Sequence, residues 1–258
     1  MAAVNLKLRM KSRGYNKEEI SNAVFIVEEI KRRNVGNYDK FCSYLFSKIC
    51  KKGAFRDTLT EGMVVLIFAY NGFDVTYLGH QQGPDLLVEG FGYRFYVEVR
   101  HYREDTITER KLFQYLDKGQ SVNYGRGAEG TQKDYQILCR DILEKAKQLP
   151  EGEIGMVFVW SEDEKIGKDD FRTCGNQILN DPPNPKEKLT AEEKKQFKKV
   201  SGVLFYTRER KPLQQHNFHF FVNPLAQNSI PPDLEKRLRN LPKLKQIFQD
   251  SEKYYNSN

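Results

Sequence analysis

What this chain of 258 residues has little of narrows its chemistry first. It holds four cysteines, Cys42, Cys50, Cys139 and Cys174, and no two of them form a Cys-x-x-Cys pair. Zinc sites usually need such spacing, so the sequence argues against one. The thiols read instead as reduced and mostly buried, which implies an intracellular, cytoplasmic setting. Long apolar runs are absent too. The longest, Met63 to Ala69, falls far short of the ~20 residues that cross a bilayer, so no membrane partner is expected. The N-terminal residues Lys7, Leu8, Arg9, Met10 and Lys11 alternate basic and apolar, without the continuous apolar stretch of a secretory signal. No Walker phosphate loop, dinucleotide-binding glycine fingerprint or nucleophile elbow occurs, so nothing points to those enzyme classes. Internal repeats are missing as well.

What is present describes a folded, basic protein. Seventeen Phe and fourteen Tyr supply large side chains for a core, which excludes wholesale disorder. The length suits one large domain or two small ones. Forty-two Lys and Arg against thirty-five Asp and Glu leave a formal charge of +7. That balance favours an anionic partner such as nucleic acid.

Periodicity divides the chain. Residues 1–56 form an N-terminal helical region of two helices, and residues 57–258 form an α/β core with C-terminal strand and helix extensions. Asn16 followed by Glu19 is a capping-box pattern, and Ile20, Ala23, Val24, Val27 and Ile30 follow at helical spacing. A second helix runs from Tyr38 to Cys50, and a third starts near Thr58 and stops at Asn71-Gly72. Three strands come next: Phe73 to Leu78, Asp85 to Val88, and Arg94 to Tyr102. A helix from Gln132 to Leu149 precedes a buried-type strand, Ile154 to Trp160. That order predicts a parallel pair joined by a crossover helix. Two more strands, Ser201 to Thr207 and Asn217 to Val222, precede short Leu-spaced helices. The sum is an α/β fold with a mixed sheet flanked by helices.

The chemistry concentrates in Gly83-Pro84-Asp85-Leu86-Leu87-Val88 and Tyr96-Val97-Glu98-Val99-Arg100. Period-two geometry puts Glu98 and Arg100 on one strand face. If the two strands pair as neighbours, Asp85 converges on that face. Two adjacent carboxylates repel unless a cation joins them. A magnesium or manganese ion satisfies both, because hard divalent ions take oxygen ligands and water. Such an ion activates water and stabilises charge on a phosphodiester.

This pattern resembles the PD-(D/E)XK nuclease superfamily, which has the restriction-endonuclease-like fold. Pro84-Asp85, then Glu98-Val99-Arg100, match its motif, and the helix–strand–strand–strand–helix–strand order over residues 58–160 matches its core. The resemblance implies a magnesium-dependent endonuclease, a DNA-binding hydrolase with Asp85 and Glu98 as metal ligands. It implies Glu61 as a further carboxylate from the preceding helix and the Val99 carbonyl as a further ligand. Arg100 stands where the family usually has Lys. Arg stays protonated and can orient or stabilise charge only. Some relatives lack that Lys and take a substitute from elsewhere, often the following helix; Lys133 near the start of that helix, and Lys111 and Lys118 in the segment before it, are the candidates. The departure leaves two outcomes open: an active enzyme, or a catalytically degenerate module for nucleic-acid binding or assembly. Small chains of this fold serve restriction, antiphage (antiviral) defence or DNA repair. Many work as homodimers or with a partner protein.

Each feature also has a plainer explanation. Asp85 suits a Gly-Pro-Asp turn, and Glu61 suits the first turn of a helix. Glu98 pairs equally well with Arg100 or Arg94 on a solvated face. His101 has the opposite parity from Glu98 and points away from the site, as a packed histidine. His216 and His219 face opposite sides of a strand, against joint ligation. Gln120 and Tyr124 fall among glycines. Lys194, Lys195, Lys198, Lys199 and Arg208 to Lys211 are basic clusters able to contact phosphates.

Overall fold

The computed structural model describes residues 2–79, 83–103, 134–162, 168–179, 189–208 and 216–241, with 247, 250, 253 and 254. His80, Lys111, Lys118, Gln120, Tyr124, Lys133 and residues 209–211 lie outside the described residues, as do the side chains of Arg208 and His216.

Helices lead the chain: α1 (Ala2–Ser12), α2 (Lys17–Arg32), α3 (Tyr38–Lys48) and α4 (Lys52–Tyr70). Strands β1 (Asp74–Tyr77), β2 (Leu86–Gly90) and β3 (Tyr93–Tyr102) follow, then α5 (Asp134–Ala146) and β4 (Ile154–Ser161). The remainder is α6 (Lys168–Leu179), α7 (Ala191–Phe197), β5 (Val200–Arg208), β6 (His216–Val222) and α8 (Pro232–Arg239).

The capping box forms as the sequence indicates: the Asn16 side chain accepts from the Glu19 backbone at 2.8 Å, and Glu19 accepts from the Asn16 backbone at 3.0 Å. The N-terminal region differs from expectation in two ways. α1 is a helix of its own, docked by Leu6 and Met10, one turn apart and both buried. α4 begins at Lys52 rather than Thr58, because Phe55 is already on its buried face. Gly62 lets α4 approach closely: a Cβ there would meet Ile26 and Phe41 side-chain atoms at 2.7 and 2.8 Å.

The six strands stand in sequence order across one mixed sheet. β1, β2 and β3 are antiparallel neighbours, β3, β4 and β5 are parallel, and β6 returns antiparallel. The expected parallel pairing of β3 with β4 is therefore present, with Glu98 beside Val157 and Arg100 beside Val159. β4 is buried from Gly155 to Ser161, as a parallel strand covered on both faces must be.

Alternation along the strands sorts the core into two layers. Phe95, Val97, Val99, Met156, Phe158 and Trp160 pack with residues of α1, α2, α3, α4 and α8. Tyr102, Val157, Val159, Val203 and Phe205 pack with Leu138, Ile142 and Ala146 of α5, Phe171 of α6 and Phe197 of α7. Among the described residues, no helix is long and apolar enough to cross a membrane.

Candidate active site

The site forms where β2 stops beside β3. Leu86 opposite Val97 is the ladder pair nearest the start of β2. One residue earlier, Asp85 lies level with Glu98. Here a side chain replaces the missing strand: Asp85 Oδ2 accepts the Val99 N–H at 2.8 Å. The N–H and C=O of a strand residue face the same neighbour, so the Val99 carbonyl is also turned to this side.

Asp85 and Glu98 are both fully buried. Unpaired carboxylates in that position would be costly, and Lys145 of α5 joins them. Its Nζ donates to Glu98 Oε2 at 2.7 Å and lies 3.5 Å from Asp85 Oδ2. Burial opposes the charge on Lys145, but Asp85, Glu98 and Glu61 outweigh it and hold the ammonium above its ordinary range. Its side chain is 15% exposed, so it forms the lid between the carboxylates and solvent.

Arg100 makes a parallel connection. Its Nε donates to Asp141 Oδ2 at 2.9 Å, and the Tyr102 hydroxyl donates to the same oxygen at 2.6 Å. Glu98 and Arg100 are two strand residues apart, about 6.6 Å. Their partners Lys145 and Asp141 are four helix residues apart, about 6 Å. The two spacings match with opposite charges at each end, so these pairs fix how α5 sits on β3. Burial pushes the Asp141 carboxyl up, against the pull of Arg100 and Tyr102. Arg94 instead contacts the Tyr96 hydroxyl at 2.5 Å, and the cation beside Glu98 is neither Arg94 nor Arg100.

Glu61 reaches the site from the other face. It is buried on α4, and its Oε2 accepts from the Tyr77 hydroxyl at 2.8 Å. Burial and the charge of Glu61 push that phenol well up, so it remains a donor. α4 and α5 cover opposite sheet faces, yet both border one cleft of 160 Å³. The cleft lies at the rim, past the end of β2. Ala54, Asp57, Thr58 and Glu61 of α4 line it with Tyr44, Val99, Arg100, His101 and Lys145.

His101 follows its expected parity but does not point away from the site. Its Nδ1 is 3.0 Å from Asp57 Oδ1 and its Nε2 is 3.6 Å from Glu162 Oε2. At a rim open to both faces, opposite parity still leads into the same cleft.

All four residues singled out from the sequence therefore meet at this place: Asp85 and Glu98 behind Lys145, Glu61 and Arg100 in the cleft wall. Lys145, Asp141, Tyr77 and Asp57 were not singled out. The signal for two of them is present in the sequence. Asp141 and Lys145 fall on the inward stripe of Leu138, Ile142 and Ala146, where charged residues are rarely placed without partners.

Among the described residues, no three His, Cys, Asp or Glu side chains are grouped to hold a metal ion. The donor set is two carboxylates with the Val99 carbonyl beside them. Two carboxylates are the kind of donor set that magnesium takes with several waters kept, and in this structure the Lys145 ammonium stands against both. Comparison of the chain with known protein families, characterised proteins and solved structures returns no match.

Proposed function

We propose that this chain is a metal-dependent nuclease of the PD-(D/E)XK type, with the restriction-endonuclease-like fold, hydrolysing DNA phosphodiester bonds. The observation that carries the reading is Lys145, 2.7 Å from Glu98 and 3.5 Å from Asp85. An Asp just before β2, a Glu in the middle of β3 and a Lys converge, with the lysine supplied by the helix after β3. With Lys145 beside Glu98, Arg100 in the usual lysine position is compatible with an active enzyme.

Asp85 and Glu98 would hold the ion, with the Val99 carbonyl able to contribute. When bound, a divalent ion supplies Lewis acidity toward the phosphodiester. Lys145, whose ammonium Asp85, Glu98 and Glu61 favour in the ion-free site, would stand as a donor toward charge that develops on the phosphoryl oxygens. Glu61, held by Tyr77, presents a carboxylate in the cleft wall that can orient the attacking water. Arg100 acts through Asp141 by fixing α5, and so by placing Lys145. Its role is that of a positioning residue.

The test is cleavage of labelled DNA by the purified protein with magnesium or manganese. Asp85→Asn, Glu98→Gln and Lys145→Met each abolish cutting, while circular dichroism shows the fold retained. Asp85→Asn keeps an acceptor for the Val99 N–H, so its loss of activity reports the charge rather than the cap. A wild-type protein that binds DNA but cuts none with either metal would replace this reading with a binding module.

A further inference from the structure

The cleft wall carries the carboxylates of Asp57 and Glu61 beside Arg100, His101 and Lys145, with Asp85 and Glu98 behind Lys145. Cations outside such a cleft raise the local concentration of a polyanion at its mouth. Tyr44 and Ala54 line the cleft, and the chain between them carries Lys48, Lys51 and Lys52. We propose that the corner between α3 and α4, residues 44–52, carries the DNA backbone to the cleft, with Lys48, Lys51 and Lys52 on phosphates and Tyr44 at the mouth. This inference rests on the nuclease reading for its substrate class.

Tyr44 connects surface and site, since it lines the cleft and stands one helical turn from Lys48. The Lys48 ammonium lies 4.6 Å from the Tyr44 ring centre, and that of Lys52 lies 5.0 Å from the Tyr15 ring. Ring contact holds these cations in place without neutralising them. Lys51 and Lys52 are exposed. Arg56 is excluded, because it pairs with Glu19 at 2.8 Å. The positive surface continues onto α1, which contains no acidic residue, where Arg9 stacks 5.4 Å from the Phe46 ring centre. Cations interleaved with aromatic rings suit a phosphate backbone and carry no base-reading pattern. The other basic cluster, Lys194, Lys195 and Lys198 around α7, has Glu192 and Glu193 in its helix's first turn, and no residue of α7 lines the cleft, whereas Tyr44 and Ala54 on either side of the α3–α4 lysines do.

The experiment measures binding of a fluorescein-labelled DNA duplex by anisotropy, in chelator so that nothing is cut, across a salt series. Each phosphate contact contributes about 0.9 to the slope of log affinity against log salt. The triple variant Lys48→Ala/Lys51→Ala/Lys52→Ala should lower that slope by about 2–3 and weaken binding at least roughly tenfold at moderate salt. The corresponding triple Lys→Arg variant should keep both, which separates charge from folding. Lys194→Ala/Lys195→Ala/Lys198→Ala should also keep both. Wild-type slope and affinity in the α3–α4 alanine variant, or loss confined to the α7 variant, overturns the proposal, as does a wild-type protein that binds no duplex. If these arms come out as expected and the wild type still cuts no DNA with magnesium or manganese, the catalytic reading fails and the binding surface stands.

Discussion

Replacing Lys145 by Met isolates the electrostatics of the site. The thioether keeps most of the side-chain length and removes the charge. Glu98 then loses a cation at 2.7 Å, Asp85 loses one at 3.5 Å, and both carboxylates remain fully buried. Removing one partner of a buried ion pair costs about 3–5 kcal/mol, since the other charge is left uncompensated. For a chain of this size each kcal/mol moves the melting temperature by roughly 2–4 °C, so the variant should melt about 10 °C below wild type in chelator. Divalent ions should reverse part of that loss. In the variant no ammonium competes for the carboxylates, and magnesium at about a hundred times its dissociation constant returns about 2.7 kcal/mol. The wild type should gain less from the same addition. Differential scanning fluorimetry with chelator, magnesium and manganese reads all of these differences. Two results would refute the reasoning: a variant as stable as wild type in chelator, or a destabilised variant that neither metal restores.

Other perturbations test neighbouring parts of the structure. Arg100→Lys should leave cleavage unchanged or lower it, because Lys145 already stands beside Glu98 while Arg100 serves Asp141; a clear gain in cleavage would assign the lysine role to position 100 after all. His101 gives a pH signature. Burial disfavours its charge, but Asp57 and Glu162 outweigh burial and raise it above its ordinary 6.5. A raised folded value means stabilisation that is complete below pH 6.5 and lost as pH rises through the higher folded value. Urea midpoints of wild type minus His101→Gln should therefore shrink with rising pH from that point, and a flat difference would contradict the ion pairs. Gly62→Ala should destabilise by about 1–3 kcal/mol in thermal melts, because the new methyl meets Ile26 and Phe41 inside normal contact distance.

Much of the fold was legible because strand alternation and helix capping are local. The six strands lie where their apolar alternation puts them, and the parallel return of β4 follows from its unbroken apolar run after a helix. α1 is not legible in the sequence, because its two core contacts, Leu6 and Met10, are interleaved with lysine and arginine and read as a basic stretch. The start of α4 is hidden because its first buried residue, Phe55, precedes the dense apolar segment.

The sequence alone determined that Glu98 and Arg100 share a face and that Asp85 can meet them, since strand parity needs no knowledge of the rest of the chain. Only the tertiary structure decided which cation completes the pair. Glu98 and Lys145 are 47 residues apart, and nothing local states which turn of a distant helix will oppose a given strand residue. That choice came from a match of spacings, two residues of β3 against four of α5, with charges that agree only in one alignment. The same holds for His101. Parity assigns it to the face opposite Glu98, but β2 pairs with β3 only as far as Val97. At that rim the two faces open into one cleft, and His101, which parity sets apart, comes to line it with Glu61 of α4 and Lys145 of α5.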